Sequence, residues 1–329
     1  MCKNHRLLFG GLLIIFSLAL GGCQGSKGGG SESITQTRLT MGYIPNIQFA
    51  PVYVAIEKGY FREAGFEVEL EYGNEADAVA LVGAGEQTFA IASGEQVLLA
   101  RAQGLPVTYV AAWYQDFPVG VVAKSDQEIK VPENLSGERI GIPGLYGASY
   151  IGLKALLSAA DLTESEVDLR SIGYNQVEAL ATDQVDAAVI YLANEPAVLR
   201  SQGYQVDVIR VADYIQLVGN GLVTNEDTIQ NQPEQVRTFI EALLKGIEDT
   251  IENPDEAFEI SKGYVENLAE ADASLQREVL DESIKLWGVE RLGFSEAAGW
   301  INMQQVLLDM GLVNESMDLD KVFTNDLLP

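Results

Sequence analysis

Residues 42–61 read GYIPNIQFAPVYVAIEKGYF, and this stretch decides the fold of the chain. Its first residues end an apolar segment, residues 38–43, that predicts a strand. A helix follows over residues 51–61 and is closed by Gly59. The alternating segment at residues 66–72 predicts the next strand. Two strands joined by a helix form a unit in which the strands lie parallel and the helix covers one face of the sheet.

The same alternation of apolar runs and helical patterns continues through most of the chain. Further strands are predicted at residues 88–92, 107–113, 139–142, 167–172, 187–191 and 205–211. Helices are predicted at residues 75–83, 93–103, 147–160, 175–182, 195–202, 232–253, 254–265, 274–287 and 295–310. The fold class is therefore α/β with two lobes. Lobe 1 comprises residues 38–122 plus 222–329, lobe 2 comprises residues 123–221, and the chain crosses between them at 120–124 and 219–224.

The composition excludes several classes of function. The 21 lysines and arginines face 48 acidic residues, so the net charge is −27, which repels the phosphates of nucleic acids. The chain contains one histidine, His5, and two cysteines, Cys2 and Cys23. A chain this poor in histidine and cysteine excludes a Ser-His-Asp triad, a zinc site and a structural disulfide beyond the N-terminal segment. We therefore expect no catalytic residue, no metal and no cofactor.

The N-terminal segment has the features of a secretion signal. Lys3 and Arg6 precede an uncharged run at residues 7–20, which has the length of a signal-peptide core and is shorter than the roughly 20 residues of a spanning helix. Residues 20–23 read LGGC and resemble the bacterial lipobox, so residues 1–22 are predicted to be removed and Cys23 to carry lipid. Residues 23–37 then form a flexible tether. Removal of the signal leaves 19 basic and 48 acidic residues, a net charge of −29, and no histidine.

Residues 42–61, with AGFEVE at 64–69, resemble the opening of a family of ABC-transporter solute-binding proteins. The family includes binders of thiamine precursors, riboflavin, nitrate, sulfonate and taurine. Supporting matches lie at residues 94–97, 100–107, 135–142, 173–175 and 185–189, and the resemblance covers residues 38–260. It implies a type II periplasmic-binding-protein fold, in which two lobes close over a solute and deliver it to a membrane permease.

Candidate ligand-binding residues lie in the turns that follow the predicted strands, where open α/β sheets bind ligands. These turns offer aromatic and uncharged polar side chains and almost no lysine or arginine. The predicted ligand-binding residues are Tyr43, Asn46, Gln48, Phe49, Ser93, Glu95, Trp113, Tyr114, Asp116, Tyr146, Ser149, Tyr150, Tyr174, Asn175 and Tyr191. Glu95 and Glu195 either bind a ligand amine or N–H, or lie on a solvated face. Tyr53, Tyr60, Trp287 and Trp300 lie on predicted helices and are interpreted as packing residues.

Aromatic faces suit a flat ring system, and amide, hydroxyl and carboxylate groups suit the edges of a heterocycle. Within the resembled family, this favours the binders of aromatic heterocyclic vitamins. Thiamine-precursor binders carry a longer stretch of the Asn-Thr-Asn-His type, whereas residues 45–50 read PNIQFA, which favours riboflavin. A thiamine pyrimidine precursor of the formylaminopyrimidine type is the alternative ligand.

We expect a monomeric lipoprotein on the extracytoplasmic face of a bacterial cell membrane, with an ABC permease subunit as its partner. Two other functional classes stay open. One is a ligand-sensing receptor domain. The other is a glycosidase that uses carboxylates alone, although no two acids form a convincing pair. Yeast relatives of the resembled family build the thiamine pyrimidine by consuming a histidine, which the mature chain lacks.

Overall fold

The computed structural model describes residues 34–266, 268, 273–288 and 291–329. The predicted signal peptide, Cys23 and residues 24–33 of the predicted tether lie outside this part of the chain. Residues 35–37, also assigned to the tether, belong instead to the first strand. Every helix within the described ranges is too short or too polar to pass through a bilayer.

Within the described residues, ten strands form two separate sheets of five strands each. The first sheet has the order β2-β1-β3-β10-β4 and contains β1 (Thr35–Gly42), β2 (Phe66–Gly73), β3 (Phe89–Ser93), β4 (Val107–Ala112) and β10 (Asn220–Asn225). The second has the order β7-β6-β8-β5-β9 and contains β5 (Val119–Lys124), β6 (Arg139–Ile142), β7 (Asp168–Ser171), β8 (Ala187–Tyr191) and β9 (Val206–Arg210). The predicted two-lobe α/β fold is confirmed, with one sheet in each lobe.

The helices connect the strands and then complete lobe 1. Those of the alternating part are α1 (Ala50–Glu57), α2 (Tyr60–Glu63), α3 (Glu75–Gly83), α4 (Gly94–Ala102), α5 (Gly147–Ala159), α6 (Gln176–Ala181) and α7 (Glu195–Ser201). The C-terminal part contains α8 (Glu226–Asn231), α9 (Pro233–Glu252), α10 (Pro254–Ser261), α11 (Ala273–Trp287), α12 (Ala297–Asp309) and α13 (Leu319–Val322). The short helices α8 and α13 were not predicted.

Each sheet contains one strand that runs against its neighbours. In the first sheet β1 pairs in parallel with β2 and β3, whereas β10 pairs antiparallel with β3 and β4. In the second sheet β6 pairs in parallel with β7 and β8, whereas β5 pairs antiparallel with β8 and β9. Each of these two antiparallel strands, β10 and β5, is the fourth strand of its sheet. Each is also the first strand that the chain forms after it crosses from the other lobe.

The two lobe crossings therefore differ from the predicted ones. Residues 120–124 and 219–224 were predicted to connect the lobes, but Val119–Lys124 and Asn220–Asn225 are strands within a sheet. The chain instead changes sheet within residues 113–118 and 211–219. The sequence does not distinguish a crossing from a buried strand here, because VGVVAK and NGLVTN are short segments that contain glycine, apolar residues and polar residues.

The core of lobe 1 explains why the aromatic residues of its helices are buried. Phe89 of β3 stacks on Phe239 of α9 with ring centroids 4.0 Å apart. Tyr53, Trp287 and Trp300 have no exposed surface, which confirms their interpretation as packing residues. Tyr60 is partly exposed and its hydroxyl donates to Asp249 Oδ2 at 2.5 Å. This packing fixes the first sheet, so that the ends of its strands form a stable edge.

Candidate functional site

A cleft of about 850 Å³ opens where the ends of the two sheets face each other. From lobe 1 it is lined by residues that follow β1, β2, β3 and β4, and from lobe 2 by residues that follow β6, β7 and β8. These are the carboxyl ends of the strands, where ligands bind in open α/β sheets. The volume lies in the range of sites that enclose a small organic molecule.

Twelve of the fifteen predicted ligand-binding side chains line this cleft. They are Tyr43, Gln48, Phe49, Ser93, Glu95, Trp113, Tyr114, Tyr146, Ser149, Tyr150, Tyr174 and Tyr191. Glu195, which the sequence left between a ligand contact and a solvated face, lines it as well. Their contact with a ligand stays a prediction.

The other three predicted residues lie outside the lining and have partners of their own. Asn46 Oδ1 accepts a hydrogen bond from the backbone N–H of Gln48 at 3.1 Å and so caps a short 3₁₀ helix. Asp116 Oδ2 accepts from Arg210 Nη2 at 2.6 Å. Asn175 Nδ2 donates to the backbone oxygen of Ile172 at 3.1 Å. Their side chains stabilise the turns beside the cleft.

Aromatic side chains from both lobes meet at the cleft. Tyr43, which follows β1, and Tyr174, which follows β7, have ring centroids 5.5 Å apart. Tyr146 and Tyr174 are 61% and 64% exposed, so the mouth of the cleft presents ring surface to solvent. Deeper in the cleft, Trp113 is 1% exposed and packs edge-on to Phe49, with centroids 6.3 Å apart.

A connected group of polar side chains forms the lobe 1 side of the cleft. We call Glu75, Ser93, Glu95 and Asn220 the acceptor cluster. The Ser93 hydroxyl lies 2.5 Å from Glu75 Oε2 and 2.6 Å from Glu95 Oε1. The Ser93 backbone N–H also donates to Glu75 Oε2 at 2.9 Å, and Asn220 Nδ2 donates to Glu75 Oε1 at 2.8 Å. Burial raises the pKa of both carboxyls, and that of Glu95 reaches about 7 because the charge of Glu75 adds to the effect of burial.

Local structure places these two glutamates at the cleft. Asn74 caps α3 through its side-chain oxygen, which accepts from the backbone N–H groups of Ala76 and Asp77, and Glu75 is the first residue of that helix. Gly42, at the end of β1, leaves room for it, because a Cβ atom there would lie 2.4 Å from Glu75 Oε1. Ser93 occupies the N-cap position of α4, but its hydroxyl contacts the two carboxylates and makes no capping bond.

Lobe 2 contributes a third carboxylate. Glu195 is the first residue of α7, and its Oε2 accepts from the Tyr191 backbone N–H at 3.0 Å. Burial raises its pKa to about 7. The lining of the cleft contains no lysine, arginine or histidine among the residues that the structure describes. Those residues also contain no group of His, Cys, Asp and Glu arranged to hold a metal ion.

Sequence reasoning missed Glu75, Asn220, Gln176, Leu99 and Leu312, all of which line the cleft. Glu75 could have been found, because it follows a predicted strand directly and opens a predicted helix. Asn220 could not be found by the same rule. It begins β10, and because β10 is antiparallel its amino end faces the cleft.

Residues 46–257 match the family described as NMT1/THI5 like. The riboflavin-binding protein RibY of Chloroflexus aurantiacus is 40% identical over 305 residues, which cover 90% of this chain and 87% of that one. The formylaminopyrimidine-binding protein of Halalkalibacterium halodurans is 30% identical over 83% of each chain. A 4-amino-5-hydroxymethyl-2-methylpyrimidine phosphate synthase of Legionella pneumophila is 23% identical over 90% of this chain and 93% of that one.

Solved structures share the fold at lower sequence identity. The periplasmic aliphatic sulphonate binding protein SsuA of Escherichia coli superposes with a TM-score of 0.71 at 14% identity, over 87% of this chain and 91% of that one. The periplasmic nitrate-binding protein NrtA of Synechocystis gives a TM-score of 0.63 at 14% identity, over 89% and 87%. Both likenesses show that the fold is that of periplasmic binding proteins.

Proposed function

Because the chain belongs to the NMT1/THI5-like family, we propose that it is the solute-binding component of an ABC importer and that its solute is riboflavin. The chain is a binding protein and not an enzyme. The two relatives described above at 30% identity or more are both named for a ligand that they bind. The binding function rests on the two-lobe fold and the cleft between the strand ends, and the choice of ligand rests on the side chains described next.

The observation that carries the choice of riboflavin is the combination of ring surface and uncompensated acceptors in one cleft. Riboflavin is a flat, uncharged three-ring heterocycle with a hydroxylated chain. The exposed rings of Tyr43, Tyr146 and Tyr174 provide ring faces or edges for the heterocycle. The acceptor cluster and Glu195 provide oxygens for N–H and O–H donors. The relative named for riboflavin is also more similar to this chain than the relative named for formylaminopyrimidine.

A thiamine pyrimidine precursor is the second candidate, and the 30% identity to the formylaminopyrimidine-binding protein supports it. The cleft of about 850 Å³ favours the larger molecule. A single pyrimidine ring would leave much of the apolar surface of this cleft in contact with water, which weakens the hydrophobic contribution to binding.

An uptake measurement tests the proposed transport role. Deletion of the gene is expected to abolish uptake of labelled riboflavin at low external concentration, and the wild-type gene is expected to restore it. Mass spectrometry of the small molecule that copurifies with the protein is expected to identify riboflavin. Normal uptake in the deletion strain would contradict a transport role and favour a ligand-sensing receptor domain.

We further propose that Cys23 anchors the mature protein to the outer face of the cell membrane, next to its permease. The support is the lipobox-like sequence at residues 20–23 and the apolar run before it. Cys23→Ser is expected to leave the signal uncut or the protein unlipidated. Metabolic labelling with a fatty acid, followed by membrane fractionation, checks this outcome. Lipid incorporation that is equal in the variant and the wild type would contradict the assignment of Cys23.

A further inference from the structure

Three glutamates line the cleft, and the described residues of its lining include no cationic side chain. Glu75 and Glu95 belong to lobe 1 and Glu195 belongs to lobe 2. Glu95 has no exposed surface, yet it forms no ion pair within the described residues. Buried carboxylates in proteins are normally paired with a cation or bonded to donors. A ligand of this cleft must therefore be compatible with several carboxyl groups that have no cationic partner.

All three glutamates lie in the first turn of a helix that begins at the cleft. Glu75 opens α3, Glu95 is the second residue of α4, and Glu195 opens α7. The amino end of a helix is where an anion normally binds, because free N–H groups and the helix dipole favour negative charge there. The first turn of each of these three helices carries a carboxylate, whereas α5, whose first residues also line the cleft, has no acid in its first turn. A phosphate group placed at α3, α4 or α7 would therefore meet negative charge.

The Ser93 hydroxyl can hydrogen-bond to both Glu75 and Glu95 only when one of the two carboxyls is protonated. The hydroxyl lies within 2.6 Å of an oxygen of Glu75 and an oxygen of Glu95. A hydroxyl has one hydrogen, so it can donate to only one of them, and the second short contact needs a proton on the other carboxyl. Below the pKa of Glu95, which is about 7, the pair can hold one proton and satisfy both contacts, and above it both carboxyls are charged.

Two acceptor atoms of this cluster are buried and have no partner in the described part of the chain. They are Glu95 Oε2 and Asn220 Oδ1. Asn220 uses its amide nitrogen to donate to Glu75, so the free atom is its carbonyl oxygen. An unsatisfied buried acceptor costs free energy that a ligand donor regains on binding. Both atoms belong to side chains that line the cleft.

From this arrangement we infer that the acceptor cluster and Glu195 make the cleft selective for a ligand that presents O–H or N–H donors and carries no phosphate. The inference rests on the proposed function, and it names the form of the flavin that binds. Unphosphorylated riboflavin supplies hydroxyl donors and a ring N–H, which suit the carboxylate and amide acceptors of the cleft. Riboflavin phosphate would place a dianion beside three carboxyl groups with no cationic side chain in the described lining, and its binding is disfavoured.

Separate titrations of the purified protein with riboflavin and with riboflavin phosphate, followed by flavin fluorescence, test the inference. Riboflavin phosphate is expected to bind at least about tenfold more weakly, the scale of one charge-charge repulsion across such a cleft. At about pH 8, above the pKa of about 7 of Glu95 and Glu195, the ratio of the two dissociation constants is expected to fall about threefold or more in Glu95→Gln and in Glu195→Gln, because each amide removes a carboxylate that is charged at this pH. Glu241→Gln, at an exposed glutamate of α9 outside the lining, is the matched control and keeps the wild-type ratio.

The outcomes separate the inference from the proposed function. Binding of neither flavin would overturn the proposed function. Tight binding of riboflavin together with equally tight binding of riboflavin phosphate would overturn the inference alone. A wild-type ratio in both cleft variants would also overturn it, because the discrimination would then have another source. A variant that is merely damaged weakens both flavins together, so the ratio distinguishes damage from lost selectivity.

Discussion

Tyr43 and Tyr174 form a ring contact between the lobes, with their centroids 5.5 Å apart and their planes tilted by 54°. Tyr43 follows a strand of the first sheet and Tyr174 follows a strand of the second. Tyr43 also has a φ of 93°, in the region that favours glycine, so its backbone is strained. Strain of this kind persists where the surrounding structure holds it, and here it directs a ring to the cleft.

The contact predicts a loss of affinity when the ring of Tyr174 is removed. Tyr174→Leu is expected to weaken riboflavin binding about threefold to tenfold, the range of one aromatic contact. Fluorescence titration measures the change. Tyr214→Leu removes a tyrosine that is 42% exposed and outside the cleft lining, and it is expected to bind as the wild type does. Equal affinities of the two variants would show that the ring of Tyr174 does not contact the ligand.

The raised pKa of Glu195 predicts how stability depends on pH. Burial raises this pKa from 4.5 to about 7, so between these values the folded chain binds a proton that the unfolded chain has released. The contribution of Glu195 to stability is therefore fully present below the unfolded pKa and is lost as the pH rises through about 7. The raised pKa values of Glu95 and Glu75 change stability in the same direction. The pKa values of the Tyr43 and Tyr191 hydroxyls, which face these acids, are also raised, so these hydroxyls titrate above this pH range.

Glu195→Gln isolates this effect, because the amide oxygen can still accept from the Tyr191 N–H. Between about pH 5 and about pH 8, the free energy of unfolding is expected to fall less in the variant than in the wild type, by at most about 3 kcal/mol. Urea denaturation at each pH measures it. Glu164, Asp186 and Asp249 have lowered pKa values, so their contributions are lost only as the pH falls below that window. Parallel stability curves for wild type and variant would contradict the raised pKa of Glu195.

The close approach of α1 and α9 predicts a large effect for a small substitution. A Cβ atom at Gly246 would lie 2.3 Å from the backbone oxygen of Pro51 and 2.9 Å from Ala55 Cβ. Gly246→Ala is expected to destabilise the fold by about 1–3 kcal/mol, even though alanine favours helix by about 1 kcal/mol over glycine. Chemical denaturation measures the change. At Gly263 the nearest atom would lie 3.4 Å from an added Cβ, so Gly263→Ala is the matched control. A Gly246→Ala variant as stable as this control would contradict the helix contact.

Local pattern predicted most of the elements, because an apolar run and its turn residues are neighbours in the chain. The predicted helix at 75–83 has the bounds of α3, and the predicted strand at 187–191 has the bounds of β8. The pattern did not predict that β5 and β10 are strands of a sheet rather than lobe crossings. Their pairing with β8, β9, β3 and β4 depends on contacts between distant parts of the chain.

The residues of the candidate cleft also include some that the sequence could predict and some that it could not. Side chains that follow a parallel strand, such as Tyr43 and Tyr174, were predictable, since the carboxyl ends of such strands gather at one edge. The acceptor cluster was not predictable as a unit. Asn220 and Glu75 are 145 residues apart in the chain, and their contact exists because β10 is inserted beside β3.

Calorimetric titration of the purified protein with riboflavin and with formylaminopyrimidine measures directly whether the cleft binds riboflavin. We expect saturable binding of one riboflavin per chain at micromolar affinity or tighter, and much weaker binding of the pyrimidine. Tighter binding of formylaminopyrimidine, or no heat of binding with riboflavin at saturating concentration, would contradict it.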